Sequence, residues 1–131
     1  MGSERRALQV AVAIGCLVPI SAGLAGIILG PGLLGGAGGI DADSHFRYLS
    51  GLLLGIGLAY GASVRGIERH RGLFLLLTLI VVAGGLGRLV SVVAIGVPSV
   101  LMSAALVMEL LVTPALALWQ FRVAHRAAMQ A

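Results

Sequence analysis

The sequence predicts an all-α protein, a transmembrane four-helix bundle, and three observations predict it. Of 131 residues, 59% are hydrophobic and 11% charged, with a mean hydropathy of +1.06, whereas an ordinary soluble domain is about 45–50% apolar even with Gly counted. The apolar residues gather into four runs, each near the ~20 residues that a helix rising ~1.5 Å per residue needs to cross ~30 Å of hydrocarbon. Seven of the nine basic residues lie outside those runs, before the first, between the second and third, and after the last. Helices are required rather than favoured, because hydrocarbon offers no partner to an unpaired backbone N–H or C=O.

The first span runs from about Ala7 to Gly30, behind Arg5 and Arg6. Pro19 inside it removes a backbone donor and predicts a bend. Cys16 follows Ala13-Ile14-Gly15, a faint likeness to a lipoprotein cleavage box. The chain stays apolar beyond it, so a small buried thiol is the expectation. As the single cysteine it excludes an internal disulfide.

The segment "PGLLGGAGGIDADS" follows and reads as a flexible, Gly-rich connector. It lacks the Gly-Lys-Ser/Thr ending of a phosphate loop. Asp43 or Ser44 is expected to cap the second span, Ser44 to Val64. The third span covers Gly72 to Ile95; after the short turn Gly96-Val97-Pro98 the fourth runs from Ser99 to Phe121, with Pro114 predicting a second bend. All four belong to one expected domain, residues 1–131. Gly26 with Gly30, Gly51 with Gly55, and Gly57 with Gly61 stand at helix-contact spacing, where a missing side chain lets backbones approach. They read first as contacts within the bundle and second as a homo-oligomer face.

Arg5, Arg6, Arg65, Arg69, Arg71, Arg122 and Arg126 lie on one side of this arrangement, while connections 31–43 and 96–98 hold no Lys or Arg. The positive-inside rule then puts both termini in the cytoplasm, with Trp119 as an interfacial anchor. The net charge of +4 is therefore topological. The arginines form no continuous face, which speaks against nucleic acid.

Two charges stand where lipid is expected. Arg88 lies about 8 residues before Gly96, hence ~12 Å inside the outer boundary, and Glu109 about 10 residues after Ser99, hence ~15 Å inside. Spans three and four are antiparallel neighbours across a short turn, so the two charges are at similar depth. An ionised group at mid-span costs about 2.5–3.5 kcal/mol on insertion scales, which forces a partner. An Arg88–Glu109 ion pair is the most economical one.

Asp43 and Arg47, at i and i+4, can pair along the second span. With Asp41, His45 and Tyr48 they give the outer half a polar set centred on Arg47, Arg88 and Glu109. Three readings stay open. The pair fixes helix register; or a polar chamber binds a polar head, with two arginines against one deep carboxylate favouring an anion; or an unpaired Glu109 carries protons. His45 beside Asp41 and Asp43 offers metal-ligand types by sequence proximity alone, and no metal site or cofactor is expected. Ser50, Ser91 and His45 are available to catalysis by residue type only, so an enzyme is the less favoured class.

At "DSHFRYLSG" (43–51), "IERH" (67–70), Arg88 in "GGLGRLVS", "GVPS" (96–99) and "ALVMELLVTP" (105–114), the chain resembles a family of small four-span bacterial membrane proteins described only as a domain of unknown function. The likeness covers nearly the whole chain and implies no reaction or ligand. A looser similarity is to DoxX-like four-span proteins, some linked with quinone or thiol redox partners. The expectation is a multi-pass bacterial inner-membrane protein, an accessory or a binder of a lipid or quinone-type ligand. A membrane-protein partner or second copy is admitted beside it, and a small proton-coupled transporter using Glu109 is the alternative.

Overall fold

The computed structural model describes residues 2–36 and 39–130. Among these there is no strand. The helices are α1 (Gly2–Leu29), α2 (Ile40–Ser63), α3 (Arg71–Ile95), α4 (Val100–Val107) and α5 (Thr113–Ala128), with a widened helical turn over Met108–Val112 joining the last two. Single 3₁₀ segments, Gly30–Leu34 and Val64–Gly66, follow α1 and α2. Among the described residues four stretches are long and apolar enough to cross a membrane: Gly2–Leu34, Ile40–Gly66, Arg71–Ile95 and Val100–Ala128. Their apolar side chains are largely exposed, Val93, Ile95 and Val100 more than 80% so. That is a surface suited to lipid.

Boundaries differ from the sequence reading at polar positions. α1 begins at Gly2 and takes Arg5 and Arg6 into the helix. α2 begins at Ile40, with Gly39 at its cap and no capping side chain. Asp43, expected as a cap, is instead inside the first turn, where its carboxylate has found a stronger, cationic partner in Arg47. The connector is partly ordered as the 3₁₀ turn, closed by Gly35 at φ +71°; Ala37 and Gly38 lie outside the described residues. Pro19 lies inside α1 as read.

The chain divides into two compact units, Gln9–Arg65 and Met1–Leu8 with Gly66–Ala131. In the first, α1 and α2 meet along small residues. A Cβ on Gly23 would stand 2.7 Å from the Leu54 backbone nitrogen, and one on Gly57 would stand 2.7 Å from Ile20. Gly26 is filled by the Ser50 hydroxyl, which donates to Phe46 O at 2.8 Å, so the Ser50 hydroxyl is occupied in packing. Close packing is the main source of helix association in lipid. Gly51 and Gly55, read from spacing as contact glycines, have nothing within 4 Å. Cys16 is buried and its thiol donates to Ala13 O.

In the second unit Leu8, Ile67, Phe74, Leu77, Val123 and Ala124 are buried. Gln120, also buried, donates through Nε2 to Ile67 O at 2.7 Å, tying α5 to the connection before α3. α3 ends at Gly96, whose φ of +129° suits a residue without Cβ. Ser99 then opens α4, its hydroxyl accepting from Met102 N. Contacts of Arg71 with Phe121, Gly85 with Leu110 and Arg88 with Glu109 run in opposite directions along the chain, so α3 and the fourth span are antiparallel.

Candidate functional site at the Arg88 and Glu109 pair

Pro114 explains the local shape of the fourth span. Its ring has no N–H to give and would collide with the carbonyl four residues earlier in a regular helix. The chain widens instead over Met108–Val112, with the Thr113 backbone N–H reaching Met108 O, five residues back. The Thr113 hydroxyl donates to the same carbonyl at 2.8 Å. Such wide turns re-aim the side chains they carry and recur at functional sites. Glu109 is in this one.

Opposite it, α3 presents Gly85 and Arg88, one turn apart on the same face. A Cβ on Gly85 would stand 2.7 Å from Leu110 Cδ2 and 2.9 Å from Glu109 Cβ, so the two helices approach at the missing side chain. Arg88 then closes on Glu109 in a forked pair, Nε donating to Oε2 and Nη2 to Oε1, each at 3.0 Å. Nη1 donates to Met102 Sδ at 3.1 Å. Planar two-point contact of this kind is the strong form of an ion pair.

The pair is not sealed. The Arg88 side chain is 32% exposed and that of Glu109 19%. A guanidinium has five N–H groups. Three are engaged by Glu109 and Met102, leaving one on each terminal nitrogen without an acceptor among the described residues. These two N–H groups are the open donors of the site.

Arg47 is differently employed, and belongs to the other unit. Its Nε and Nη2 donate to Asp43 at 2.8 and 3.2 Å, and its Nη1 donates to the Ile27 and Ile28 carbonyls at the end of α1. It is a clamp on helix-terminal carbonyls. Gly30 makes room for it: φ is +64°, and a Cβ there would stand 2.7 Å from Arg47 Nη2. The expectation of two arginines against one deep carboxylate is therefore corrected, because each arginine has a carboxylate of its own. The expected surplus of positive charge disappears with it. His45 and Tyr48 are near each other, ring centres 6.4 Å apart, and Tyr48 is exposed.

Sequence reasoning missed three parts of the site. Met102 carried no signal as an acceptor; Gly85 was hidden beside Gly84, which faces open space. The Thr113 hydroxyl, which supports the wide turn by donating to Met108 O, lies within the fourth span itself.

Four span-length apolar helices among the described residues, two of them joined by the Arg88–Glu109 ion pair, mark a multi-pass α-helical membrane protein. The family described as Domain of unknown function (DUF4345) matches residues 7–120, and the chain belongs to it. This match carries the first resemblance read from the motifs and not the looser DoxX-like one. No curated protein and no solved structure matches the chain.

Proposed function

We propose that this protein is a non-enzymatic, multi-pass protein of a bacterial inner membrane that binds an apolar molecule by a neutral, oxygen-bearing head at the Arg88–Glu109 pair. The observation that carries this reading is the forked pair with two guanidinium N–H groups left over. Charge decides the kind of head. Arg88 is neutralised by Glu109 at 3.0 Å, and an anion approaching the free N–H groups also meets the carboxylate. A carbonyl, as in a quinone or a lipid ester, accepts the same hydrogen bonds without that repulsion. The lipid-facing setting supplies the tail's solvent.

Orientation follows from the arginine distribution, with both termini cytoplasmic and the pair in the outer half of the bilayer. Arg5 and Arg126 are matched by Glu68 and Glu4, but the rule counts basic residues rather than net charge. The proton-carrier alternative requires a Glu109 free of Arg88, and both its oxygens accept from that side chain.

Native mass spectrometry of protein in mild detergent tests the reading, with decylubiquinone and decanoate as probes. The quinone is expected to be retained by the wild type and lost from the double variant Arg88→Leu/Glu109→Leu. Stronger retention of decanoate, or equal quinone retention by the double variant, overturns the reading.

A further inference from the structure

A second charged feature lies at the other end of the same unit, where α3 begins and α5 approaches its close. The arginines there divide into two sets. Arg5 Nε lies 3.1 Å from Glu68 Oε2, and Arg126 Nη1 donates to Glu4 Oε2 at 2.6 Å, so these two are neutralised. Arg6, Arg69, Arg71 and Arg122 have no carboxylate partner among the described residues. The excess charge at this end is thus carried by these four arginines.

Arg71 is held in place by an aromatic face. Its guanidinium carbon is 4.5 Å from the centre of the Phe121 ring. The His125 ring lies parallel to Phe121, inclined by 4° with centres 6.3 Å apart. Cation–π contact fixes the plane of a guanidinium while leaving its edge N–H groups free. Phe121 is itself half-exposed. Helix electrostatics make the position more telling. Arg71 opens α3, at the positive end of the helix dipole, and the first turn has no acidic residue. A cation there is disfavoured by the helix, and an anion bound at that end offsets the effect.

We infer that the Arg71–Phe121 stack, flanked by Arg69 and Arg122, is a seat for the phosphate of an anionic phospholipid. The partner's class follows from three constraints together: positive charge without internal counter-ions, planar N–H groups suited to two phosphate oxygens, and a location at the ends of spans three and four, where head groups lie. The exposed Phe121 face meets the acyl-chain side of such a lipid, an aromatic at the interface with a cation above it. This seat is independent of the reading of the Arg88 pair.

Native mass spectrometry with phosphatidylglycerol, phosphatidylcholine and inorganic phosphate as probes tests it. The wild type is expected to prefer phosphatidylglycerol to phosphatidylcholine, and Arg71→Gln to reduce that preference about fivefold, the effect of one arginine near the membrane surface. Phe121→Leu, which removes the platform and no charge, is expected to reduce it as well, and decides the matter if Arg71→Gln fails to fold. Glu4→Gln/Arg126→Gln, neutral in net charge, is expected to leave it unchanged. No lipid preference in the wild type, an unchanged preference in Phe121→Leu, an equal loss in the Glu4/Arg126 double variant, or displacement of the lipid by an equal concentration of inorganic phosphate each overturns the assignment.

Discussion

Arg88 and Glu109, 21 positions apart, grip each other by two parallel hydrogen bonds of 3.0 Å between α3 and the widened turn of the fourth span. The geometry depends on three neighbours. Gly85 permits the approach, Pro114 forces the turn that carries Glu109, and Met102 takes the third N–H of the guanidinium.

Breaking the pair from one side and removing it whole have different consequences. Glu109→Gln leaves a guanidinium unpaired at membrane depth and is expected to cost about 2.5–3.5 kcal/mol, the insertion cost of such a charge. Arg88→Leu/Glu109→Leu removes both charges and is expected to stay within about 1 kcal/mol of wild type or to exceed it. Thermal unfolding in detergent, followed by circular dichroism, separates these outcomes. A double variant less stable than Glu109→Gln contradicts the account of the pair's energetics.

Gly85 and Gly84 provide a matched comparison. Gly85→Ala sets a methyl group 2.9 Å from Glu109 Cβ, an overpacking expected to cost about 1–3 kcal/mol. Gly84→Ala meets open space and gains about 1 kcal/mol of helix propensity. Equal unfolding temperatures for the two variants would count against the close approach of α3 to the wide turn.

Pro114→Ala restores a backbone donor and is expected to relax the span toward a regular helix, stabilising it by up to about 3 kcal/mol. Glu109 is rotated off its partner by the same change. That gain is offset by the cost of about 2.5–3.5 kcal/mol of leaving Arg88 unpaired, so the variant is expected to stay near wild-type stability and to lose quinone retention in native mass spectrometry. Undiminished retention would show that the wide turn does not position the carboxylate.

The Asp43–Arg47 clamp depends more on backbone than on charge. Both side chains are 41% exposed, so Asp43→Asn is expected to change stability little. Gly30→Ala combines a strained φ of +64° with a methyl group 2.7 Å from Arg47 Nη2, and the backbone strain alone costs about 1–2 kcal/mol. Unfolding midpoints of the two variants, measured side by side, check the order.

The four spans were legible in the sequence because lipid imposes one demand, apolar length, and composition reports it directly. The Arg88–Glu109 contact was legible for a related reason: a short Gly96–Ser99 turn fixes the register of two antiparallel helices, and two costly charges at one depth have few other partners. The assignment of Arg47 was not, since its acceptors are the Ile27 and Ile28 carbonyls, which every residue possesses. Likewise Gly51 and Gly55 have the same spacing as Gly57 and Gly61, and only the rotation of α2 distinguishes a packed pair from an open one. The widened turn had a visible cause in Pro114, but whether a helix bends or widens there depends on the neighbour it packs against.

The proposed binding rests on the direct contact of Arg88 with Glu109, which leaves the remaining guanidinium N–H groups to a neutral acceptor. Solid-state NMR on protein in lipid, with ¹⁵N-labelled arginine and ¹³C-labelled glutamate, measures that contact directly through the dipolar coupling between the Arg88 side-chain nitrogens and the Glu109 carboxyl carbon. The account predicts a strong coupling at hydrogen-bonding distance, and terminal nitrogen signals that shift on adding decylubiquinone while the coupling persists. Absence of that coupling in the folded, membrane-embedded protein would contradict it.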